Sequence, residues 1–186
     1  MEKEPTERSE GEMIYDSDDK ILIRTIKETD PRIICEEETA QGWHATEDKY
    51  WTRVADNASG KAVSLVAEYE GGVAGYINVY IDSHWGSFAG RGYCEIVDFG
   101  VLEKYRRRGI GSRLMDVAEE IASRYADVVY LGVGLHSGYG SAQRMYCKRG
   151  YLPDGKGVWY KDQVAWPYEP YCYDDDLNLY LSKKLR

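Results

Sequence analysis

The chain has 186 residues, 43% of them apolar, which suits one domain with a hydrophobic core of its own. Its net charge is −8, of which −5 falls in residues 1–20, so the rest of the chain is nearly neutral and general attraction to nucleic acid or to an anionic membrane is disfavoured. No apolar run approaches the roughly 18 residues of a membrane span, and the first ten residues lack the apolar stretch of a signal peptide.

The cysteines and histidines are too scattered for a structural metal site. The four cysteines include no CxxC pair, and none of the three histidines lies beside a cysteine in the sequence. A zinc site needs closely spaced ligands, so no metal is expected. Free thiols without an export signal indicate a reducing, cytoplasmic environment.

The first part of the chain predicts a leader, a strand and two helices. Residues 1–19 are polar and mostly acidic without periodicity, which predicts a flexible leader ahead of a single domain over residues 20–186. Alternating apolar residues predict a strand at 21–26. Residues 31–41 follow an N-cap and a proline, and they predict a helix. A second helix is expected at 46–55.

The middle of the chain predicts strands around an irregular loop. Residues 62–69 and 73–81 are rich in β-formers, and the glycine-containing segment 70–72 between them predicts a hairpin turn. Residues 82–93 have no periodicity and predict a loop. Another strand is expected at 95–101.

The last third alternates helices and strands. Residues 110–125 predict an amphipathic helix, whose apolar positions at helical spacing are Ile110, Leu114, Val117, Ala118, Ile121 and Tyr125. The continuous apolar run 128–133 predicts a strand buried on both faces. A short helix at 141–148 and strands near 157–160 and 178–182 complete a mixed α/β domain.

The turn between the strand at 95–101 and the long helix carries the clearest chemical signal. Its sequence is Arg106-Arg107-Arg108-Gly109-Ile110-Gly111-Ser112. A helix N-terminus offers unpaired N–H groups and a partial positive charge, glycines let a ligand approach the backbone, and arginines add formal charge. The combination suits phosphate or diphosphate. Neither a P-loop nor a complete GxGxxG fingerprint is present, and a solvated basic turn is the alternative interpretation.

Two motifs together resemble the GCN5-related N-acetyltransferase (GNAT) superfamily. The turn fits the family's acyl-CoA signature Q/R-x-x-G-x-G/A, and residues 142–151, AQRMYCKRGY, are similar to its second motif, A-x-x-L-Y-x-K-x-G-F. The element order is similar from about residue 20 to the C-terminus. The resemblance implies a mixed, mostly antiparallel sheet of about six to seven strands, flanked by about four helices, with splayed central parallel strands.

The resemblance also implies roles for individual positions. Backbone amides of the turn would hold the diphosphate of acetyl-CoA, the acyl donor. The strand residues that would run beside the pantetheine arm, one of whose amides would polarise the thioester carbonyl, are Phe99, Gly100, Val101 and Leu102. Tyr146 would protonate the departing thiolate, although it could instead only pack its helix on the sheet. Where the family often has Asn this chain has Tyr139; Ser141 is the substitute candidate for that pantetheine contact, and it is also the expected N-cap of its helix.

The general base has two candidates. Glu95 opens its strand where some family members carry a base glutamate, and Asp98 is the other carboxylate of that strand. Strand alternation puts them on opposite faces unless a bulge intervenes. Partial desolvation among apolar neighbours would make such an acid a better proton acceptor, and Glu95 is favoured. A water relay, the absence of any base, and a solvated strand-end carboxylate are the alternatives.

The implied activity is direct transfer of an acetyl group from acetyl-CoA to a primary amine in a ternary complex. A non-catalytic acyl-CoA-binding sensor is the alternative from another class of protein. The link at 166–176 carries four acids and four aromatic residues, which suits a cationic small-molecule acceptor, whereas a solvated acidic turn with its aromatics packed on the sheet is the plainer interpretation. Neither a nucleic acid nor a membrane partner is expected, and a homodimer is left open.

Overall fold

The structure, a computed structural model, describes residues 5–9 and 12–186, within which the chain forms four α-helices and eleven β-strands. The helices are α1 (Asp30–Ala40), α2 (Glu47–Ala58), α3 (Ile110–Tyr125) and α4 (Gly140–Lys148). The strands are β1 (Thr6–Ser9), β2 (Glu12–Ser17), β3 (Ile21–Thr25), β4 (Ala62–Tyr69), β5 (Gly72–Tyr80), β6 (Cys94–Val101), β7 (Val128–Gly134), β8 (Leu152–Pro153), β9 (Trp159–Tyr160), β10 (Gln163–Val164) and β11 (Leu177–Lys184). The predicted mixed α/β fold, with mostly antiparallel strands and four helices, is confirmed. The strands beyond the expected seven are β1, β2, β8 and β10, none longer than six residues.

One compact unit comprises Met1–Tyr80 and Asp98–Ile121. Its strands β1 to β5 pair antiparallel in chain order. The β4–β5 hairpin is one residue tighter than predicted, because Tyr69 already pairs with Gly72 and only Glu70 and Gly71 form the turn. Both turn residues have positive φ, 50° and 84°, as a two-residue type I′ hairpin requires.

The acidic N-terminal segment differs from the flexible leader that its composition predicts. Its residues 1–4, 10 and 11 lie outside the described part, but β1 and β2 are strands, and β2 pairs with β3. Two acids of this segment are paired with an arginine far along the chain. Arg113 contacts Asp16 at 2.5 Å and also binds Asp18. Composition alone does not reveal such distant partners, so it predicts self-repulsion where the fold supplies opposite charge.

A hydrophobic core in this unit joins α1 and α2 to strands β4 and β5. Its buried members are Ile26, Ile34, Tyr50, Val66 and Tyr76. On α3, every apolar position predicted from helical spacing is buried except Tyr125, which is 54% exposed. That residue ends the helix, where the apolar face no longer has a neighbour to cover it.

The second compact unit comprises Ile81–Val97 and Ala122–Arg186. Here β6 and β7 form a parallel ladder, from the pair Cys94–Val129 to the pair Ile96–Leu131, and β11 runs antiparallel to β7. The predicted splaying of the two parallel strands beyond this ladder stays a prediction, as does the single domain over residues 20–186. One core cluster of the unit is aromatic, and its buried members are Phe88, Tyr130, Trp159 and Tyr180. None of the helices in the described ranges is long and apolar enough to cross a lipid bilayer.

Candidate functional site

The basic turn ahead of α3 has an open, left-handed backbone. Arg107 and Gly109 have φ values of 62° and 83°, and no heavy atom lies within 4 Å of the point where a Cβ on Gly109 would sit. Counting along the chain from Gly109, the first backbone N–H that donates to a carbonyl of the turn is that of Arg113. Its nitrogen lies 3.1 Å from the Gly109 oxygen. The three residues before Arg113 therefore begin the helix with amides that have no intrahelical acceptor.

The start of α3 lies close against the end of β6. A Cβ on Gly111 would stand 3.2 Å from the Phe99 ring and 3.4 Å from Val101, so glycine permits this approach. Of the four strand residues predicted to run beside pantetheine, Phe99 and Val101 are half-buried and Gly100 is buried. Leu102 is also buried, and its N–H donates to the Ala74 oxygen at 2.9 Å, so that amide is committed to β5.

The three arginines of the turn are exposed, and two of them rest on aromatic rings. The Arg106 guanidinium lies 5.3 Å from the Trp43 ring centroid, and that of Arg108 lies 4.7 Å from the Tyr69 ring. Arg107 has no ion pair or hydrogen bond with any other residue in the described part of the chain. Arg106 also pairs with Glu103 at 3.2 Å, whereas the ring contact orients the Arg108 side chain without neutralising it.

These features fit a ligand with a diphosphate group. The turn combines exposed cations, a helix N-terminus with three available amides, and an open approach at Gly109. Each of these three features attracts a negatively charged group, and together they suit a diphosphate. Ser112, the last residue of the predicted signature, is exposed in the first turn of α3, where its hydroxyl adds another polar group.

Asp98 interrupts β6 and is bound by an arginine. Its φ is 48°, which is rare for a residue with a side chain, and it breaks the strand alternation at this point. Arg53 of α2 holds the Asp98 carboxylate through two nitrogens, at 2.6 and 2.8 Å. Both contacts are made to the same atom, Oδ2, so the guanidinium already occupies this carboxylate oxygen. As a general base Asp98 is the weaker candidate.

Glu95 lies in the other unit and is buried. Its carboxylate accepts a hydrogen bond from the Ser83 hydroxyl. It also faces Tyr130, whose pKa is raised by burial and by the negative charge of Glu95. The interpretation of Glu95 as a solvated strand-end carboxylate is therefore wrong, because the loop containing Ser83 covers it.

Tyr146 is buried on α4 and stays protonated at neutral pH. Burial raises the pKa of its hydroxyl well above the usual range, and the nearby Tyr139 adds to the shift. Its ring lies 5.7 Å from that of Tyr151, which follows the helix. A buried hydroxyl that keeps its proton at neutral pH can act as a proton donor.

The predicted capping role of Ser141 is wrong. The helix begins one residue earlier, at Gly140, with Tyr139 as N-cap and no side-chain capping bond. Ser141 is consequently the second helical residue, and it is exposed. Since it has no capping function, its hydroxyl is available to a ligand.

Sequence reasoning missed a polar strip on β5. Tyr76, Asn78 and Tyr80 alternate along this otherwise apolar strand, so they share one face. Tyr80 donates to Asp56 and is contacted by Arg53, and burial raises its pKa to about 12. Tyr76 donates to Glu38 of α1. The alternation itself was the available signal, because three polar residues at period two are unusual in a buried strand.

Taken together, the strand, the glycine-containing turn and the helix define a mixed α/β protein with a helix N-terminus that is suited to a phosphate-bearing ligand. Residues 25–151 match the model of the Acetyltransferase (GNAT) family, and the chain belongs to this family. Enzymes of the family use acetyl-CoA as the acyl donor. No curated protein matches the sequence significantly.

Solved structures of the same fold have low sequence identity to the chain. yncA from Salmonella typhimurium, solved with its cofactor acetyl-CoA, is 19% identical with a TM-score of 0.64, over 90% of this chain and 95% of its own. Naa50 from Arabidopsis thaliana, in complex with the bisubstrate analogue CoA-Ac-MVNAL, is 18% identical with a TM-score of 0.61, over 89% and 99%. The ribosomal-protein-S18-alanine N-acetyltransferase from Escherichia coli is 13% identical with a TM-score of 0.63, over 89% and 94%. At these identities the similarity establishes the fold.

Proposed function

We propose that the protein is an N-acetyltransferase that transfers the acetyl group of acetyl-CoA directly to a primary amine in a ternary complex. The observation that carries the proposal is the turn from Arg106 to Ser112, with its open glycine and its exposed cations at the start of α3. The amides of Ile110, Gly111 and Ser112, with the Arg107 guanidinium, would hold the diphosphate. Acetyl-CoA supplies the activated acetyl thioester when it is bound.

The β6 backbone would align the acyl donor beside the turn. Phe99, Gly100 and Val101 lie next to the start of α3, which suits a pantetheine arm running along the strand. We assign no donor bond to Leu102, because its amide already donates to Ala74. In this arrangement most of the rate enhancement comes from holding the thioester and the amine close together in the right orientation.

Tyr146 is proposed as the general acid, and Glu95 as the group that takes a proton from the acceptor. The raised pKa of Tyr146 keeps its proton available for the thiolate. Glu95 is buried and bound by hydroxyl groups, whereas Asp98 is neutralised by Arg53.

Exchanging the two carboxylates for amides separates their roles. We expect Glu95→Gln to lower kcat by about 10²-fold with little change in KM for acetyl-CoA, since a positioned base contributes roughly that factor. Asp98→Asn is the matched control, because asparagine tolerates the φ of 48° at this position. Asp98→Asn should lower kcat much less than Glu95→Gln does. Steady-state assays of CoA release compare them, and a larger loss in Asp98→Asn would transfer the role of base to Asp98.

A non-catalytic acyl-CoA sensor is the alternative function. Calorimetry with acetyl-CoA and an assay of CoA release with a pooled amine library distinguish the two. Binding with turnover supports the enzyme, and binding without turnover of any amine supports the sensor. Absence of binding would remove both.

The acceptor is proposed to be a cationic amine. In the link between β10 and β11, Trp166, Tyr168 and Tyr173 are 72%, 106% and 66% exposed, so these three aromatics do not pack on the sheet. Exposed aromatic faces interspersed with acids suit a cation through charge and cation–π contact. Asp175 of the same link is bound by His136 and Tyr139, each at 2.9 Å, which holds the link near the start of α4.

A peptide or protein amine is the second candidate acceptor. Trp85 is 66% exposed in a loop whose backbone is held by side chains: Tyr130 donates to the Trp85 oxygen at 2.8 Å, and the Gly86 N–H donates to Asp162 at 3.1 Å. An exposed indole on a fixed backbone suits contact with a chain longer than a small amine. Naa50, one of the similar structures, binds an analogue that includes a peptide.

A panel of acceptors tests these proposals. Polyamines, lysine-containing peptides and peptides with neutral or acidic N-terminal segments would be compared at equal concentration by release of CoA. We expect cationic acceptors to have the highest kcat/KM. Turnover confined to neutral or acidic acceptors would contradict a cationic substrate, and turnover of peptides alone would select the second candidate. A cytoplasmic location and a homodimer stay predictions.

A further inference from the structure

Glu38 is a buried carboxylate that the proposed reaction does not yet use. Its residue is 1% exposed, and its two oxygens accept hydrogen bonds from the hydroxyls of Tyr50 and Tyr76. No cation lies within ion-pair distance of it in residues 5–9 and 12–186; the ammonium of Lys49 instead lies over the Tyr50 ring, 4.5 Å from its centroid. Burying a carboxylate without a cation is costly, and two hydroxyl donors offset only part of that cost.

The two tyrosines differ in what they touch next. A Cβ on Gly100 would stand 2.6 Å from the Tyr76 hydroxyl oxygen, so this hydroxyl fills the side-chain space of a residue beside the proposed pantetheine arm. Tyr50 is 1% exposed, and its hydroxyl oxygen lies 3.4 Å from that of Tyr76. Tyr76 alone therefore connects Glu38 to the strand segment at Gly100. Burial and Glu38 raise the pKa of Tyr76, so it carries its proton at neutral pH.

The chemistry of a cationic acceptor requires two proton losses. An ammonium group becomes a neutral amine by losing one proton before attack, and its nitrogen loses a second as the C–N bond forms. Glu95 is proposed for the first of these losses. The second needs a proton acceptor beside the acetyl carbonyl carbon, because the proton becomes acidic only when the nitrogen bonds to that carbon.

We infer that Tyr76 and Glu38 form a proton relay that accepts this second proton. As the nitrogen lone pair bonds to the acetyl carbon and the C–S bond breaks, the N–H proton passes to the Tyr76 oxygen and the Tyr76 proton passes to Glu38. The thiolate takes the proton of Tyr146. Glu38 ends as a neutral acid, and Tyr76 ends unchanged; Glu38 returns its proton to water through Tyr76 after the products leave. The inference rests on the proposed function.

Removing one hydroxyl at a time tests the relay. Tyr76→Phe and Tyr50→Phe each delete one hydrogen bond to the same carboxylate, and only the first deletes the link to Gly100. With acetyl-CoA and a lysine-containing peptide, we expect Tyr76→Phe to lower kcat by about 10²-fold and Tyr50→Phe to change it about twofold or less. Glu38→Gln should resemble Tyr76→Phe in kcat. KM and the calorimetric Kd for acetyl-CoA should stay at wild-type values in all three.

Stability measurements separate the relay from a purely structural cluster. Thermal unfolding should show similar shifts in Tm for the two tyrosine variants, since each loses one buried hydrogen bond. Equal kcat values in the two tyrosine variants would overturn the relay. If the wild-type protein turns over the peptide and Tyr76→Phe does too at the same rate, only the relay fails; a wild-type protein that neither binds acetyl-CoA nor acetylates an amine overturns the proposed function with it.

Discussion

Tyr146→Phe should lower kcat by about 10²-fold while leaving the affinity for acetyl-CoA nearly unchanged. The substitution removes one oxygen from a buried ring and keeps its shape, so packing is preserved and the proton donor is lost. Because the pKa of Tyr146 lies well above its usual value of about 10, the loss should be the same at every pH between about 6 and 9. Steady-state kinetics across this range and calorimetry with acetyl-CoA are the measurements.

Tyr151→Phe is the control for that experiment. Tyr151 is also buried, and its ring lies 5.7 Å from the ring of Tyr146, so the two variants remove the same atom from neighbouring positions. The GNAT motif that the sequence resembles has phenylalanine at this position, and kcat should stay within about threefold of the wild-type value, far from the loss expected of a proton donor. Equal activity of Tyr146→Phe and wild type would remove Tyr146 as the general acid.

Gly109→Asp should greatly weaken acetyl-CoA binding without unfolding the protein. No atom lies within 4 Å of the Cβ position, and aspartate tolerates a φ of 83° better than most residues. A carboxylate ahead of α3 stabilises the helix start by about 0.3–1 kcal/mol, yet it repels a diphosphate at the same place. At a separation of about 4 Å, repulsion between like charges costs about 1 to 4 kcal/mol per pair near a protein surface. We expect the Kd to rise by at least about 10²-fold.

Gly109→Asn isolates the effect of charge. Asparagine has nearly the same shape as aspartate and enters the left-handed region as readily, so any steric or backbone effect is shared by both variants. Its affinity should lie between those of wild type and Gly109→Asp, and the gap between the two variants should narrow at high salt. Equal affinities of the two variants for acetyl-CoA would mean that no phosphate lies at this turn.

Local hydrophobic patterns predicted most of the helices and strands, because the spacing of apolar residues indicates which face of an element is buried. The period of 3.6 residues in α3 places Ile110, Leu114 and Ile121 on one face, and all three are buried. The continuous apolar run at 128–133 corresponds to β7, in which Leu131 is 1% exposed. The strands that were missed are short or acidic. For β2 the reason is specific, since its Asp16 is paired with Arg113, 97 residues away.

The candidate site also has one part that the sequence predicts and one part that it does not. The turn at Arg106–Ser112 could be predicted, because its helix start, its glycines and its arginines are all neighbours in the sequence. The choice between Glu95 and Asp98 could not, since it depends on which side chains cover each carboxylate. Ser83 reaches the first and Arg53 the second, from 12 and 45 residues away.

The sequence by itself therefore determined the family and the element order, and it predicted a site for the acyl donor, because all three depend on residues close together in the chain. Tertiary structure alone decided the environment of each ionisable group. Glu38 illustrates the difference, because in the sequence it is one acid in the run Glu36-Glu37-Glu38 of an exposed-looking helix. Folding places it at 1% exposure between two tyrosine hydroxyls from α2 and β5. Its burial and its two hydroxyl donors come from residues distant in the chain, and neither is encoded in its neighbours along the chain.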